Sequence, residues 1–315
     1  MSGVTKANLS DDKDLITLAK KHGTPLYVYS LEGLEARADE LLQLKLPFGL
    51  TPRYAAKANM NPQIIKLFNN TGLSFDASSS YEAMELVKMG VDPQKISLSS
   101  QQPAHNLDEL VKLGVKYTAT SLHQLELFLQ TKELPNEVGL RINPGTGAGG
   151  NNRTTTGGVN SSFGLWHEYI DEALGLAEKN KLLISRLHIH FGSGADPSIW
   201  GEVMDTALEV AAKMPDVTSL DIGGGFKVSR TDDEPEANMT EIAATFTAKL
   251  TKFAQTTGRE LHLEIEPGTW LVAHGGVLLA EVVDIVDTGV SGRTFLRLNT
   301  GMNDLIRPSM YGSQH

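Results

Sequence analysis

Short apolar runs and amphipathic stretches alternate along most of the chain. The apolar runs have the length of buried strands, and the stretches between them place apolar residues three or four positions apart, as helices that cover a sheet do. Eight runs predict strands around residues 53–57, 73–76, 95–99, 116–120, 137–142, 185–191, 217–222 and 261–266. The amphipathic stretches predict helices that include Glu82–Met89, Asn106–Leu113, His123–Leu129, Glu168–Lys179, Pro197–Lys213 and Met239–Gln255.

Strict alternation of strands and helices predicts a parallel sheet, because each helix returns the chain to the same end of the sheet. Eight such units are the number that closes a (β/α)8 TIM barrel. An open, doubly wound sheet is the alternative. Gly72, Gly90 and Gly114 follow helical stretches at positions where a C-terminal capping glycine is expected, which supports the predicted helix ends.

Both flanks of this alternating region have a different pattern. Before it, we predict a helix at Ser10–His22, a strand at Thr24–Tyr29 and a helix at about Leu31–Leu44. From about Gly275 two β-rich runs follow, 277–286 and 294–298, with no helix between them. We therefore predict a barrel at 33–275, the beginning of a C-terminal β-domain at 276–315, and an N-terminal helix and strand at 1–32 that join the β-domain.

The longest irregular stretch, Asn143–Ser162, contains three glycines with the spacing of a dinucleotide-binding motif, Gly145, Gly147 and Gly150. That motif requires a helix to begin at the loop, whereas Asn151–Gly158 has no helical pattern. We interpret the stretch as a long loop on the functional face of the barrel.

Composition narrows the functional classes. Hydrophobic residues make up 40% and charged residues 21% of the chain, and the net charge is −10, with a pI near 5.4. The sequence has no cluster of Lys and Arg residues that would suggest a nucleic-acid partner. The sequence has no cysteine, which excludes disulfides, thiolate nucleophiles and cysteine-bound metals in this chain. No signal peptide or membrane-spanning segment is recognisable, so we expect a cytoplasmic protein without a membrane partner.

Polar residues end most of the predicted strands, where the active site of such a barrel is located. These residues are Lys57, Asp76, Arg141, His190 with Ser193, Asp221 before Gly223, Gly224 and Gly225, and Glu266. The apolar run before Lys57 and the Asn61-Pro62 helix start place the lysine between a strand and a helix. A buried lysine with a lowered pKa attacks carbonyl groups, whereas a structural lysine extends its ammonium into solvent.

Each of the other polar residues also has a structural explanation. Asp76 precedes a run of serines and suits a helix cap. His190 suits a hydrogen-bonded core histidine, and with His188 it forms a pair of the kind that binds a metal, although no third ligand has a recognisable spacing. Three successive glycines allow a tight turn, but they also expose backbone N–H groups to a phosphate.

Taken together, these residues suit one cofactor, pyridoxal 5′-phosphate (PLP). It requires a lysine for its aldehyde, an imidazole to stack on its ring, a glycine loop for its phosphate and an acid for its pyridine nitrogen. We predict no metal.

The chain resembles the fold-type III PLP-dependent decarboxylases, and among them the diaminopimelate decarboxylases. The resemblance rests on motifs in the family's order, at Tyr54–Asn59, Phe75–Ser78, Arg141–Pro144, Ser162–Gly164, His188–Gly194, Asp221–Phe226, Glu264–Gly268 and Gly301–Pro308. It implies that Lys57 forms the Schiff base with PLP, that His190 stacks on the ring and that Glu266 holds the ring nitrogen protonated.

The resemblance also implies roles for the remaining residues. Asp76 and Arg141 orient the lysine and the polar edge of the cofactor, and Ser193 with Gly223, Gly224 and Gly225 binds the phosphate. Arg307 and Tyr311 bind the distal carboxylate of the substrate. The implied partner is a small amino acid with a distal charged group, first meso-diaminopimelate, which would yield L-lysine and CO2.

Two departures from the family pattern keep alternatives open. Thr269 stands where the family has an arginine, and Asn299-Thr300 replaces a usual Asp-Ala pair. An ornithine-type, lysine-type or specialised-metabolite decarboxylase is therefore the first alternative, and a catalytically inactive regulatory homologue is the second. A racemase is disfavoured because racemases of this architecture usually place an arginine at the ring nitrogen, where this chain has Glu266.

The family's C-terminal β-domain carries a cysteine-containing motif and a tyrosine that would lie beyond residue 315. We therefore expect a truncated chain with weakened PLP binding. In the family these groups enter the active site of a second subunit, so the resemblance implies a homodimer with shared active sites.

Overall fold

Strands and helices follow one another in the order that the sequence predicts. The computed structural model describes residues 12–146 and 156–312. The helices are α1 Asp12–His22, α2 Leu31–Leu42, α3 Pro62–Thr71, α4 Ser80–Lys88, α5 Leu107–Leu113, α6 Leu122–Leu129, α7 Ile170–Lys179, α8 Pro197–Ala212, α9 Met239–Thr257, α10 Thr269–Val272 and α11 Arg307–Tyr311. The strands are β1 Leu26–Tyr29, β2 Leu50–Ala55, β3 Ser74–Ala77, β4 Ile96–Ser99, β5 Lys116–Ala119, β6 Glu137–Asn143, β7 Leu165–Trp166, β8 Leu183–His188, β9 Ser219–Asp221, β10 His262–Ile265, β11 Gly276–Leu279, β12 Val282–Asp287 and β13 Thr294–Leu298.

Eight parallel strands close into a barrel. Their order is β2-β3-β4-β5-β6-β8-β9-β10, and β10 pairs with β2 to complete the ring. The predicted (β/α)8 barrel is therefore confirmed, and the open-sheet alternative is wrong. The two-residue strand β7 adds to β6 outside the ring.

Local signals in the sequence explain where the outer helices begin and end. The side chains of Asn61, Ser79 and Asn238 accept hydrogen bonds from the first backbone N–H groups of α3, α4 and α9. Gly72 and Gly114 end α3 and α5 in the left-handed conformation, as predicted. These helices cover strands whose apolar side chains are buried.

The structure corrects two of the predicted strands. β2 ends at Ala55, and Lys57 lies in a following turn of 3-10 helix, Ala56–Ala58, rather than in the strand. The run at 277–286 is two strands, because Ala280 and Glu281 separate β11 from β12. The final strand of the prediction agrees with β13.

Contacts along the backbone divide the chain into two compact units. One contains residues up to Ala36, Ser229–Glu234 and residues from Val272 onward, and the other contains Arg37–Val228 and Pro235–Leu271. In the first unit β1 pairs with β11, and β12 pairs with β13, both antiparallel. The early strand β1 thus pairs with the first strand of the C-terminal β region. The domain boundaries after residues 32 and 275 stay a proposal.

Among the residues that the structure describes, no helix has both the length and the apolar character needed to cross a bilayer.

Candidate active site

Lys57 and Asp76 meet at the carboxyl ends of two neighbouring strands, β2 and β3. The Nζ atom of Lys57 lies 3.9 Å from Oδ2 of Asp76, and the side chain of Lys57 is 53% exposed. The expectation of a buried amine is therefore wrong, because the chain leaves the strand before Lys57 and the 3-10 turn places the side chain at the rim. Asp76 itself is buried in β3 and does not cap α4, whose cap is Ser79.

Asp76 and Glu266 are buried acids at this edge of the barrel. Burial raises the pKa of Asp76, and the ammonium of Lys57 opposes this shift. Burial, together with the negative charges of Asp221 and Asp76, raises the pKa of Glu266 well above its usual value. Both carboxyl groups are therefore harder to ionise than in water, and a further positive charge nearby would oppose this effect.

The histidines of the His188–Gly194 motif face Glu266. The Nε2 atom of His188 is 3.6 Å and the Nδ1 atom of His190 is 4.0 Å from Oε2 of Glu266. Burial lowers the pKa of both imidazoles well below its usual value, and the positive charge of Arg141 lowers it further. Both rings are therefore neutral at physiological pH.

The three glycines bring separate segments together. Gly223 and Gly225 have φ values of +73° and +102°, which side chains with a Cβ rarely adopt. A Cβ atom on Gly223 would lie 2.4 Å from the His190 ring, one on Gly224 would lie 2.1 Å from the carbonyl oxygen of Glu266, and one on Gly225 would lie 3.1 Å from Cβ of Ser193. The turn thus packs against residues to which the family resemblance gives roles at the ring and the phosphate of the cofactor.

Arg141 completes the group of residues that the structure brings together. It lies on β6, its guanidinium carbon is 5.0 Å from the centre of the Phe163 ring, and it is buried. Burial lowers the pKa of Arg141, whereas the charges of Glu266 and Asp76 raise it.

The chain also matches a known protein family. Residues 32–273 match the family described as "Pyridoxal-dependent decarboxylase, pyridoxal binding domain".

The chain belongs to this family of pyridoxal-dependent decarboxylases.

Relatives and solved structures point to one branch of the family. A diaminopimelate decarboxylase of Streptomyces coelicolor is 33% identical over 311 residues, which cover 97% of this chain and 69% of the relative. A crystal structure of a diaminopimelate decarboxylase has a TM-score of 0.86 at 30% identity and covers 96% of this chain and 72% of that one. The M. jannaschii enzyme in complex with L-lysine has a TM-score of 0.84 at 27% identity, over 96% and 73% of the two chains.

The site of this pyridoxal-dependent decarboxylase holds buried polar atoms that suit a further group. Oε1 of Glu266, Oδ1 of Asp76 and both ring nitrogens of His188 are buried and, among the described residues, have no hydrogen-bond partner. Burying such atoms without a partner is unfavourable, so their presence around one edge fits a polar ring that bonds to them. Residues and cofactor are therefore compatible.

A metal is the competing occupant. His188, His190 and Glu266 each offer a ligand atom, and these atoms lie within 4.8 Å of one another. Glu266 is the third member of this group, and the spacing in the sequence did not reveal it. The charges of Arg141, Arg186 and Lys57 nevertheless act on His188, and this positive environment disfavours a divalent cation.

Two groups of site residues remain outside this geometry or outside the sequence prediction. Arg307 and Tyr311 lie on α11 in the other unit, where the guanidinium carbon is 5.3 Å from the Tyr311 ring centre. Their role in substrate binding stays a prediction.

Sequence reasoning did not assign roles to Arg186 or Glu264. Their signal is period-two spacing, since Arg186 precedes His188 and Glu264 precedes Glu266 by two positions on strands that line the barrel.

Part of the loop at Asn143–Ser162 is described. The amide of Asn143 binds the backbone of Gly145, Gly158 and Ser161, and Thr156 donates to the carbonyl oxygen of His190 at 2.6 Å. The loop therefore reaches the site, whereas Gly147 and Gly150 of the glycine pattern lie outside the described residues.

Proposed function

We propose that this chain catalyses the PLP-dependent decarboxylation of meso-diaminopimelate to L-lysine and CO2. The observation that carries this proposal is a Lys57–Asp76 pair and a His190–Glu266 pair at one barrel edge, close enough for the charge of Lys57 to act on His190, in a chain 33% identical to a diaminopimelate decarboxylase. When bound, PLP withdraws electrons from the bond between Cα and the carboxylate of an attached amino acid, so that CO2 can leave.

The residues of the chain have distinct parts in this proposal. Lys57 would attach the cofactor, and Asp76 would orient the amine from 3.9 Å. His190 would stack on the ring as a neutral imidazole. Glu266 would hold a proton at the ring nitrogen, whose positive charge would in turn favour the carboxylate form of Glu266. Ser193, with Gly223, Gly224 and Gly225, would bind the phosphate, Arg141 the polar edge of the ring, and Arg307 and Tyr311 the distal carboxylate.

Covalent attachment of PLP tests the cofactor assignment. The wild-type protein should give an absorbance band that borohydride reduces, and reduction should leave a mass increase on the peptide that contains Lys57. Lys57→Ala should lose the band and the mass increase, because Lys57 is the lysine that lies beside Asp76 in the described part of the chain. Lys66→Ala, at an exposed position on α3, is the matched control and should keep both. A colourless wild-type protein would favour the inactive regulatory homologue.

Release of CO2 tests the substrate. With meso-diaminopimelate, ornithine and lysine compared at equal concentrations, we expect the highest kcat/KM for meso-diaminopimelate. Thr269 supports the ornithine-type or lysine-type alternative, because it is exposed at the start of α10 and cannot supply the forked charge of an arginine. A preference for ornithine or lysine would replace the proposed substrate while keeping the reaction.

We infer that the enzyme acts as a cytoplasmic homodimer with shared active sites. The resemblance to the family supports this inference. Light scattering should give twice the mass of the chain, and a monomer would contradict it.

A further inference from the structure

A buried cation lies behind the candidate site. Arg186, on β8, donates from Nε to Oε2 of Glu264 at 2.8 Å, and from Nη1 to the hydroxyl groups of Ser97 and Thr118 at 2.7 and 2.5 Å. Its Nη2 donates to the carboxylate of Asp221. The side chain is 7% exposed. Four groups from four other strands therefore hold one guanidinium in a fixed orientation.

The same guanidinium lies beside Glu266. Nη2 of Arg186 is 3.8 Å from Oε1 of Glu266, the atom that has no hydrogen-bond partner among the described residues. The Nη2 atom of Arg186 thus contacts both Asp221 and Glu266. The negative charge of Asp221 disfavours the charged form of Glu266. A cation beside a buried carboxyl group favours its charged form, and loss of that cation disfavours it.

We propose that Arg186 is a positioning residue that favours the charged form of Glu266 and orients its carboxyl group toward the ring nitrogen of the cofactor. The cofactor part of this inference rests on the proposed function. The effect on Glu266 does not, because it concerns contacts within the protein alone.

Several other ionisable groups surround Glu266 and must be held constant in any test. The groups that act on Glu266, or that share its network from the adjacent strands and loops, are Asp221, Asp76, Arg141, His188, His190, Lys57, Glu264, Arg53 and Lys116.

Arg53 provides a matched control. It is as deeply buried as Arg186 and donates to the same Glu264 carboxylate at 2.7 and 3.0 Å. Its remaining bond is to the carbonyl oxygen of Lys95, and no contact of Arg53 with Asp221 or Glu266 is found among the described residues. Arg53→Met therefore removes a buried cation from the network without touching the carboxylates near the ring.

The direct measurement follows the carboxyl carbon of Glu266 by NMR in cofactor-free protein labelled at glutamate, with Glu266→Gln to assign the signal. We expect Arg186→Met to raise the midpoint of its titration by at least one pH unit, because the stabilising positive charge is gone. Arg53→Met should shift the midpoint by much less. An unchanged midpoint in Arg186→Met, or an equal shift in both variants, would overturn the proposal.

Cofactor affinity provides the second measurement. Arg186→Met should weaken PLP binding about tenfold or more, while Arg53→Met should lower thermal stability and keep near wild-type affinity. If Arg186→Met does not fold, the same two measurements on Arg186→Lys test the proposal instead. One ammonium cannot make all four interactions, so we expect an intermediate midpoint and affinity, and wild-type values for both would contradict positioning by the guanidinium. A wild-type protein that binds no PLP would refute the proposed function and leave the NMR result to stand separately.

Discussion

His188 is a buried imidazole whose two ring nitrogens have no hydrogen-bond partner among the described residues. Burial lowers its pKa well below its usual value, so the folded protein keeps the ring neutral in a range where the unfolded chain takes up a proton. Because only the unfolded state binds this proton, proton binding stabilises the unfolded state. The folded protein therefore loses stability as pH falls below about 6.5, the ordinary pKa of histidine.

We predict that His188→Gln makes the cofactor-free protein less sensitive to acid. Between about pH 6.5 and 5, the free energy of unfolding of the wild type should fall more steeply than that of the variant, by up to about 1.4 kcal/mol per pH unit. Urea titrations at several pH values measure both slopes. At pH 8 the ring is neutral in both states, so the difference between the proteins should stay constant from pH 8 upward. Equal slopes below pH 6.5 would contradict a neutral buried His188.

The turn between β9 and α9 shows how one element positions several others. Gly224 has an ordinary φ, so its lack of a side chain matters for space alone: a Cβ atom would lie 2.1 Å from the carbonyl oxygen of Glu266. That oxygen belongs to backbone and cannot move away without displacing Glu266 itself. The turn and the strand end after β10 therefore hold each other in place.

We predict that Gly224→Ala lowers the free energy of unfolding by about 1–3 kcal/mol and weakens PLP binding about tenfold or more. Gly175→Ala is the control, since Gly175 lies inside α7 with nothing within 4 Å of an added Cβ. There, alanine should stabilise the protein by about 0.5–1 kcal/mol. Chemical denaturation and cofactor titration measure both effects. Wild-type affinity in Gly224→Ala would show that the turn does not determine the site.

Sequence periodicity was sufficient to predict most of these elements, because buried strands and amphipathic helices have different repeats. It did not predict the 3-10 turn at Ala56–Ala58, since Tyr54–Ala58 is a uniformly small or apolar run around one lysine. Lys57, His190 and Glu266 could be nominated because each is a polar residue at a strand end. The role of Arg186 could not, because it depends on partners from β4, β5, β9 and β10 that meet only after the barrel closes.

At the scale of the whole molecule, the barrel interior contains a network of opposite charges. Glu264 is held by Arg53 and Arg186, and, although burial opposes ionisation, these two cations lower its pKa. Removing one partner leaves charge in a medium that solvates it poorly. The network therefore stabilises the barrel only when all of its charged partners are present.

We predict that Arg53→Met destabilises the protein by about 3–5 kcal/mol, the usual cost of breaking a buried ion pair. Lys249→Met removes a surface pair with Asp205, whose side chain is 54% exposed, and should cost about 1 kcal/mol or less. Denaturant unfolding of the two variants measures the difference. If both variants lose equal stability, the interior network contributes no more than a surface pair.

Closure of the barrel also sets the order in which β2 meets its two partner strands during synthesis. β2 pairs with β3 on one side and with β10 on the other, and Leu50 lies opposite Leu263. The ribosome must therefore add about 210 residues before the second partner of β2 exists, which takes about 10–40 s at ordinary elongation rates. Throughout that interval the nascent chain carries a strand with one open edge, which is the kind of surface that chaperones protect from aggregation.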